Sequence, residues 1–424
     1  MRTGDLGARL MMDPAIREDP YPFYDRLRAQ GRVVTSGVSL ISAHHEVCST
    51  VLRSPDFGQM RMDRIPGPIG LAVRLGGRQA LGPAEPPSML VTDPPEHSHY
   101  RKLVARAFTA RAVAALRTRV EEIAEELLDE ITESTRHPDR MPRPDAGAAA
   151  VDLVTHYASL LPATVIAEML GAPVAMRRQF LAWGTGASLS LDAGLGYRDF
   201  CRSEDDLTAL HRWMLGHFEE IRRAPRDDIL SSLVAAHDEG GQLSTDELSS
   251  IAMLLLAAGF ETTVNLLGNG AVLLLRHPGQ LDLLRAQPQR WANAVEEILR
   301  HDSPVQRTMR VALRDTELGG RRVPAGRPIV LLLGGANRDP AVFTDPARFD
   351  VRRSQAREHL AFSSGIHYCV GAALARVEGE VGLQALFRRF PDLAAAGPPR
   401  RRPTRVLRGY DAIPVNLSSA TLPA

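Results

Sequence analysis

Cys369 and its neighbours carry the clearest chemistry in the chain. The stretch Phe362-Ser363-Ser364-Gly365-Ile366-His367-Tyr368-Cys369-Val370-Gly371 sets a thiol after small residues. A helical pattern, Ala372-Ala373-Leu374-Ala375-Arg376, follows at once. A cysteine at such a junction meets free backbone N–H groups and the positive end of a helix dipole, and both favour thiolate, the form that ligates metal. Gly371 and Ala372 would let a flat macrocycle approach the backbone closely. Taken alone, a cysteine at a helix start is more often a buried, inert thiol.

A second constellation is Ala257-Ala258-Gly259-Phe260-Glu261-Thr262-Thr263. Glycine inside a helix costs about 1 kcal/mol relative to alanine. A threonine there can bond back to a carbonyl and bend the helix. An acid beside a hydroxyl in an apolar run is either a solvated patch or a device for moving protons.

The elements that must position these groups are mostly helical. Residues 109–133 and 153–170 have apolar residues at helical spacing, the latter stopped by Gly171 and Pro173. Ser244 and Glu247 form a capping-box pattern that opens a long helix. The helix persists to about Arg276, where His277-Pro278 ends it. It is long enough to cross the core of a large domain. A further helix covers residues 291–301. Strand signals follow: residues 316–318 and 322–323 flank the turn Gly319-Gly320, and 329–333 is a continuous apolar run. Residues 59–95 and 135–148 read as irregular, and loops of that length are usually functional. The expectation is a mainly α protein with a small β region, residues 1–424 forming one domain.

Hydrophobic residues make up 44% and charged residues 24%, with a formal net charge of +1, so bulk charge argues for neither nucleic acid nor an anionic membrane surface. Lys102 is the only lysine, and nearly all positive charge is arginine. Cys48, Cys201 and Cys369 are too sparse for a disulfide framework or a zinc site. Residues 1–20 show no signal-peptide core, and the apolar run 251–260 is short and meets Glu261. A cytoplasmic protein without a membrane anchor is expected.

The ten-residue cysteine loop resembles the heme-binding signature of the cytochrome P450 family. An aromatic, Gly, a basic residue, Cys and Gly stand at its first, fourth, sixth, eighth and tenth positions. Ser363 occupies the second position, where many bacterial members have Gly. The resemblance extends over almost the whole chain and implies the single-domain cytochrome P450 fold. Its cofactor would be heme b, with Cys369 as metal ligand and Phe362, Gly365 and Ala258 against the cofactor. Electron donation from an axial thiolate favours cleavage of the O–O bond. Glu261 would be the acid and Thr262 the alcohol beside the oxygen site. Glu297, Arg300 and Arg348 resemble the family's structural ion-pair triad.

The resemblance also implies propionate contacts from His97, Arg101, Arg310 and His359. The substrate pocket would be lined by Leu90, Val91, Leu254, Ala257, Val305 and Gln306, with a lid near residues 180–195. These largely apolar positions imply a lipophilic small-molecule substrate. The implied activity is monooxygenation with O2: hydroxylation or epoxidation of a lipid, terpene, steroid or polyketide-like molecule. Electrons would come from NAD(P)H through a ferredoxin and its reductase or a flavodoxin, docked near Arg101, Lys102, Arg106, Arg352, Arg353, Arg357 and Arg376 of a monomer. A peroxide-driven peroxygenase and a non-catalytic heme-thiolate sensor are the alternatives.

Overall fold

In the computed structural model, residues 5–60, 83, 87–136, 150–173, 176–192, 196–226, 228–240 and 243–417 are described. Much of the two irregular segments, and residues 193–195 of the expected lid, lie outside them.

The helices that matter for the site are α1 (Glu96–Val104), α2 (Ala110–Arg136), α3 (Leu160–Met169), α4 (Arg177–Leu189), α5 (Tyr197–Arg223), α6 (Thr245–Arg276), α7 (Trp291–His301) and α8 (Ala372–Arg389). Helix α6 starts where the sequence predicts. The Ser244 N–H donates to Glu247 Oε2 at 2.6 Å, and the Glu247 N–H donates to Ser244 Oγ at 3.2 Å. His277 caps its end, and Pro278 opens the next helix. The expected helix over 153–170 is split: a π turn, Val154–Ala158, precedes α3.

Helix α6 runs through the middle of the molecule. Residues 248–257 pack into a cluster with α4 and α5, including Phe180, Leu210 and Phe218. Residues beyond Phe260 join a second cluster with α2, α7 and α8, including Leu127, Ile298 and Leu386. The helix is long and apolar enough to cross a membrane, yet 83% of its most apolar window is buried inside the protein. Its sustained hydrophobicity is therefore that of a core helix with protein on every side.

The β part is small. Strands β1 (Val34–Ser36), β2 (Ser39–Ser42), β3 (Phe57–Gln59) and β4 (Thr308–Ala312) precede the hairpin β5 (Thr316–Leu318) and β6 (Arg321–Val323), then β7 (Pro328–Leu331). Five of them form a sheet in the order β1-β2-β7-β4-β3, with β2 and β7 parallel and the other pairs antiparallel. The hairpin turn places Gly319 and Gly320 at φ 59° and 78°, the left-handed geometry that favours a Gly-Gly pair. The register of β3 on β4 sets Gln59 opposite Arg310, whose guanidinium donates to Gln59 Oε1 at 3.2 Å and acts on His367 of the cysteine loop.

Candidate heme-thiolate site

The cysteine loop is held from within and from both ends. Within it, the Cys369 N–H donates to Phe362 O at 2.9 Å, and the Tyr368 N–H donates to Gly365 O at 3.1 Å. Gly365 has φ 69°, and a Cβ there would sit 2.3 Å from Leu52 O. Both the conformation and the space demand glycine. Ser363 is also left-handed, at φ 63°, and its buried hydroxyl has no protein partner. A left-handed residue with a Cβ costs roughly 1–2 kcal/mol. Ser363→Gly should therefore raise unfolding stability by about 1 kcal/mol in denaturant titration.

The ends of the loop are clamped by Glu296 on α7. His359 Nε2 lies 3.0 Å from Glu296 Oε2, and Arg376 Nε donates to Oε1 at 2.8 Å. Burial pushes the Glu296 carboxyl up, but bonds from His359 and Arg376 prevail and hold it down at about 2. Arg376 also stacks over the Phe362 ring at 4.6 Å. His359 is thus committed: its second ring nitrogen, Nδ1, accepts from the Ala361 N–H at 3.2 Å. With both nitrogens engaged, it cannot hold a propionate as expected, and it serves as a clamp for the loop.

The neighbouring Glu297 anchors a buried network. Arg300 donates to it twice, at 2.7 and 2.8 Å, and Glu297 and Arg300 have no exposed side-chain surface. The third member is Arg353, whose Nε lies 3.2 and 3.1 Å from the two Glu297 oxygens. Arg348 was the expected partner. Its side chain is 56% exposed and, among the described residues, reaches Asp350 at 3.8 Å. It contributes its backbone carbonyl, which accepts from Arg300 and Arg353. Arg300 also donates to Asn337 O, and Asn337 Oδ1 accepts from the Leu360 N–H, so the network ends two residues before Phe362.

Cys369 has exposed surface, yet protein surrounds it closely enough that burial is the largest influence on the thiol. That combination describes a sulfur on the wall of an interior cleft. Burial pushes the thiol up, against the Gly371 N–H and the Arg101 and Arg376 guanidinium groups. The helix terminus predicted a thiolate; burial outweighs it here. A bound cation would have to displace the proton.

Beside Cys369 gather the groups for an anionic cofactor. The His97 and His367 rings lie 4.1 Å apart, and Arg101 and Arg310 are near enough to act on both. Among the described residues His97 Nδ1 and His367 Nε2 are buried without a hydrogen-bond partner, although the Asp93 carboxylate approaches His367. Burial, with His367 and Arg101 adding to it, pushes His97 down to about 4. Burial also pulls the Arg310 guanidinium down to about 10. The carboxylate here is Asp93, 3.9 Å from His367 Nε2 and already bonded to the Gln59 N–H. Two guanidinium groups and two imidazoles, with Arg310 and His97 buried and Arg101 and His367 half-buried, beside one carboxylate fit a group with two acids, such as a heme with its propionates. In the sequence His367 stands out only as the basic residue at the sixth position of the loop, and that basic character is the signal for this second role.

On α6, every residue from Leu248 to Leu274 is buried except Ala258, Gly259 and Thr262. The spacing puts these three on one face, a notch in an otherwise enclosed helix. The Thr262 hydroxyl donates to Ala258 O at 2.7 Å, which leaves its oxygen able to accept a hydrogen bond. Thr263 is buried, donating to Gly259 O at 3.1 Å, and lies beside Glu378 of α8. Glu261 is 2% exposed and ion-pairs with Arg402 Nη1 at 2.7 Å.

These features decide the family, together with three comparisons. The cytochrome P450 family model matches residues 291–403. The chain is 46% identical to cytochrome P450 140 of Mycobacterium tuberculosis over 424 residues, 99% of this chain and 94% of that one. The chain belongs to the cytochrome P450 family. This P450 is also 42% identical to 6-deoxyerythronolide B hydroxylase of Saccharopolyspora erythraea over 334 residues, 78% of each chain. Its fold superposes on the crystal structure of P450BioI in complex with a hexadecenoic-acid-ligated acyl carrier protein. The TM-score is 0.85 at 30% identity, covering 95% of this chain and 100% of that one. The P450 family carries heme b on an axial cysteine thiolate, and the buried nitrogens and guanidinium groups around Cys369 suit that cofactor.

The expected pocket residues divide. Leu90 is 40% exposed and Val91 half-buried, while Leu254 and Ala257 are enclosed in the core. Val305 is half-buried and bridges to Leu407. Gln306 turns away: its amide donates to Ser303 O at 2.8 Å and its oxygen accepts from Tyr24 O–H at 3.2 Å. A side chain so engaged beneath the N-terminal helices is not a pocket wall beside the cofactor. Arg353, expected in the docking patch, is buried with Glu297 instead.

Glu378 is 3% exposed, and burial pushes its carboxyl up to about 8. The folded protein therefore keeps a proton that the unfolded chain releases above about pH 4.5. Stability from this group is full below that pH and is lost as pH rises to about 8, at about 1.4 kcal/mol per unit. Glu378→Gln should flatten this decline and raise the melting temperature at pH 8 more than at pH 5.

Proposed function

We propose that this P450 is a dioxygen-dependent monooxygenase of lipophilic small molecules, with Cys369 as the axial ligand and Glu261 and Thr262 as its proton-handling pair. The observation that carries this reading is the notch on α6. The one face of the helix that is not enclosed carries Ala258, Gly259 and an alcohol, with a buried acid next to it. A sensor needs the thiolate but no such face.

Heme, when bound, supplies dioxygen activation with two electrons, one oxygen atom entering the substrate and the other leaving as water. The chain's own residues do the rest. His97, Arg101, Arg310 and His367 would hold and neutralise the propionates. Thr262, tied to Ala258 O, keeps its oxygen able to accept from a water, and Glu261 supplies protons from the protein side. The apolar residues of α6 exclude bulk water, which strengthens each of these interactions.

Polyketides head the compounds to test, because a relative 39% identical over 334 residues is named a polyketide biosynthesis cytochrome P450. Electrons come from NAD(P)H through a ferredoxin and its reductase. Exposed Lys102, Arg106, Arg352 and Arg357 suit an acidic carrier. The protein acts in the cytoplasm as a monomer.

Thr262→Ala tests the pair. It should keep the wild-type carbon-monoxide spectrum and consume reductant, yet yield roughly tenfold less product per NAD(P)H. Unchanged coupling would remove Thr262 from the chemistry. Turnover with peroxide equal to that with the ferredoxin system would favour the peroxygenase alternative.

A further inference from the structure

Glu261 is reached from the far side of α6, away from the notch. Its partner Arg402 lies in the segment joining the last strands, and Arg402 Nε also donates to Tyr410 O at 3.2 Å. That segment presses on α6. A Cβ at Gly409 would sit 1.7 Å from Asn265 Oδ1, one turn beyond Glu261. Arg402 and Gly409 also line a narrow cleft, walled on its other side by Met12, Ile16 and Arg17 and containing Arg307. The cleft holds about 30 Å³ of free space, room for about two waters and none for an organic substrate.

Polar atoms without a protein partner cluster along this line. Arg307 Nη2 is buried and unpaired among the described residues, and Glu261 Oε2 and the Asn265 amide, which face each other, are buried with no well-formed hydrogen bond to any other described group. Buried polar groups left so are costly, and a site that is polar and roomy enough takes ordered water. We propose that Arg402 is the positioning residue for Glu261, and that the cleft it lines carries water, and with it protons, from solvent to the acid on α6. This rests on the reading of Glu261 as the proton-handling acid.

The charges facing Glu261 support the assignment. Arg402 pulls the carboxyl down most, a bond from Asn265 pulls it the same way, and Asp411, on the adjoining strand, pushes it up. Burial dominates and raises the carboxyl overall, so the Arg402 charge is what opposes a permanently protonated acid. In each passage one proton moves from a cleft water onto a Glu261 oxygen and leaves toward the Thr262 side. Solvent closes the proton balance.

The holoenzyme variants Arg402→Gln, Arg402→Lys, Glu261→Gln and the double variant Glu261→Gln/Arg402→Gln test this. Arg402→Gln should lose roughly tenfold in product per reductant, with substrate affinity and the carbon-monoxide spectrum unchanged. It should also gain an infrared band of a neutral carboxyl at pH 7 that the double variant lacks. Arg402→Lys should restore most of the coupling, and the double variant should be no worse than Glu261→Gln. Wild-type coupling in Arg402→Gln, or additive losses in the double variant, overturns the proposal. If Arg402→Gln fails to fold, Arg402→His decides: coupling that falls as pH rises through the imidazole range supports the route, and coupling that does not depend on pH there sinks it. Full coupling in Glu261→Gln would instead remove the acid's role itself.

Discussion

Cys369→Ser is expected to leave a folded chain that no longer shows the red-shifted spectrum of a thiolate-ligated heme in its reduced, carbon-monoxide-bound form. Turnover should fall on the order of 100-fold or more, because the alkoxide or alcohol that replaces the thiolate donates far less electron density to the iron. Stability without heme should change little. A serine oxygen can accept from the Gly371 N–H as the Cys369 sulfur does, and the loop is otherwise held by its backbone, Gly365 and the Glu296 clamp. Circular dichroism and urea unfolding separate the two effects. A serine variant with an intact thiolate spectrum would mean that another residue holds the iron.

The second large effect is on stability. Arg353→Ala should destabilise the protein by about 3–5 kcal/mol, since it leaves Glu297 with one guanidinium fewer in a site closed to water. It should also loosen the cysteine loop through Asn337 and Leu360, seen as faster heme loss. Arg348→Ala, five residues earlier, should cost within about 0.5 kcal/mol, because its exposed side chain does no more than approach Asp350 while its carbonyl survives the mutation. The contrast between two arginines in one loop, read by urea titration, separates the observed triad from the expected one.

That pair also shows what a sequence can and cannot tell. Glu297 and Arg300 were legible because they sit on one helix face, a relation fixed by helical periodicity. Their third partner comes from a loop, and there the turn after Phe349 decides which arginine swings inward. The capping box at Ser244, the stop at His277-Pro278 and the Gly319-Gly320 turn were legible for the same local reason. His359 stands close in sequence to the cysteine loop, but Glu296, distant in sequence, claims its ring. Gln306 follows Val305 into the expected pocket wall in sequence, and Tyr24 and Ser303 draw it elsewhere. Arg402 gave no local signal, since its meaning depends on a helix some 140 residues away. Cys369 was legible as a ligand, whereas the balance between its helix terminus and its burial was not.

The most direct test of the central claim is turnover under isotopically labelled dioxygen. A substrate would first be found by its shift of the heme spin state, and the enzyme then run with a ferredoxin, its reductase and NAD(P)H. One labelled oxygen atom should appear in the product for each two electrons consumed, and Thr262→Ala should lower that yield. Product oxygen derived from water, or product formed only when peroxide is supplied, would contradict the account.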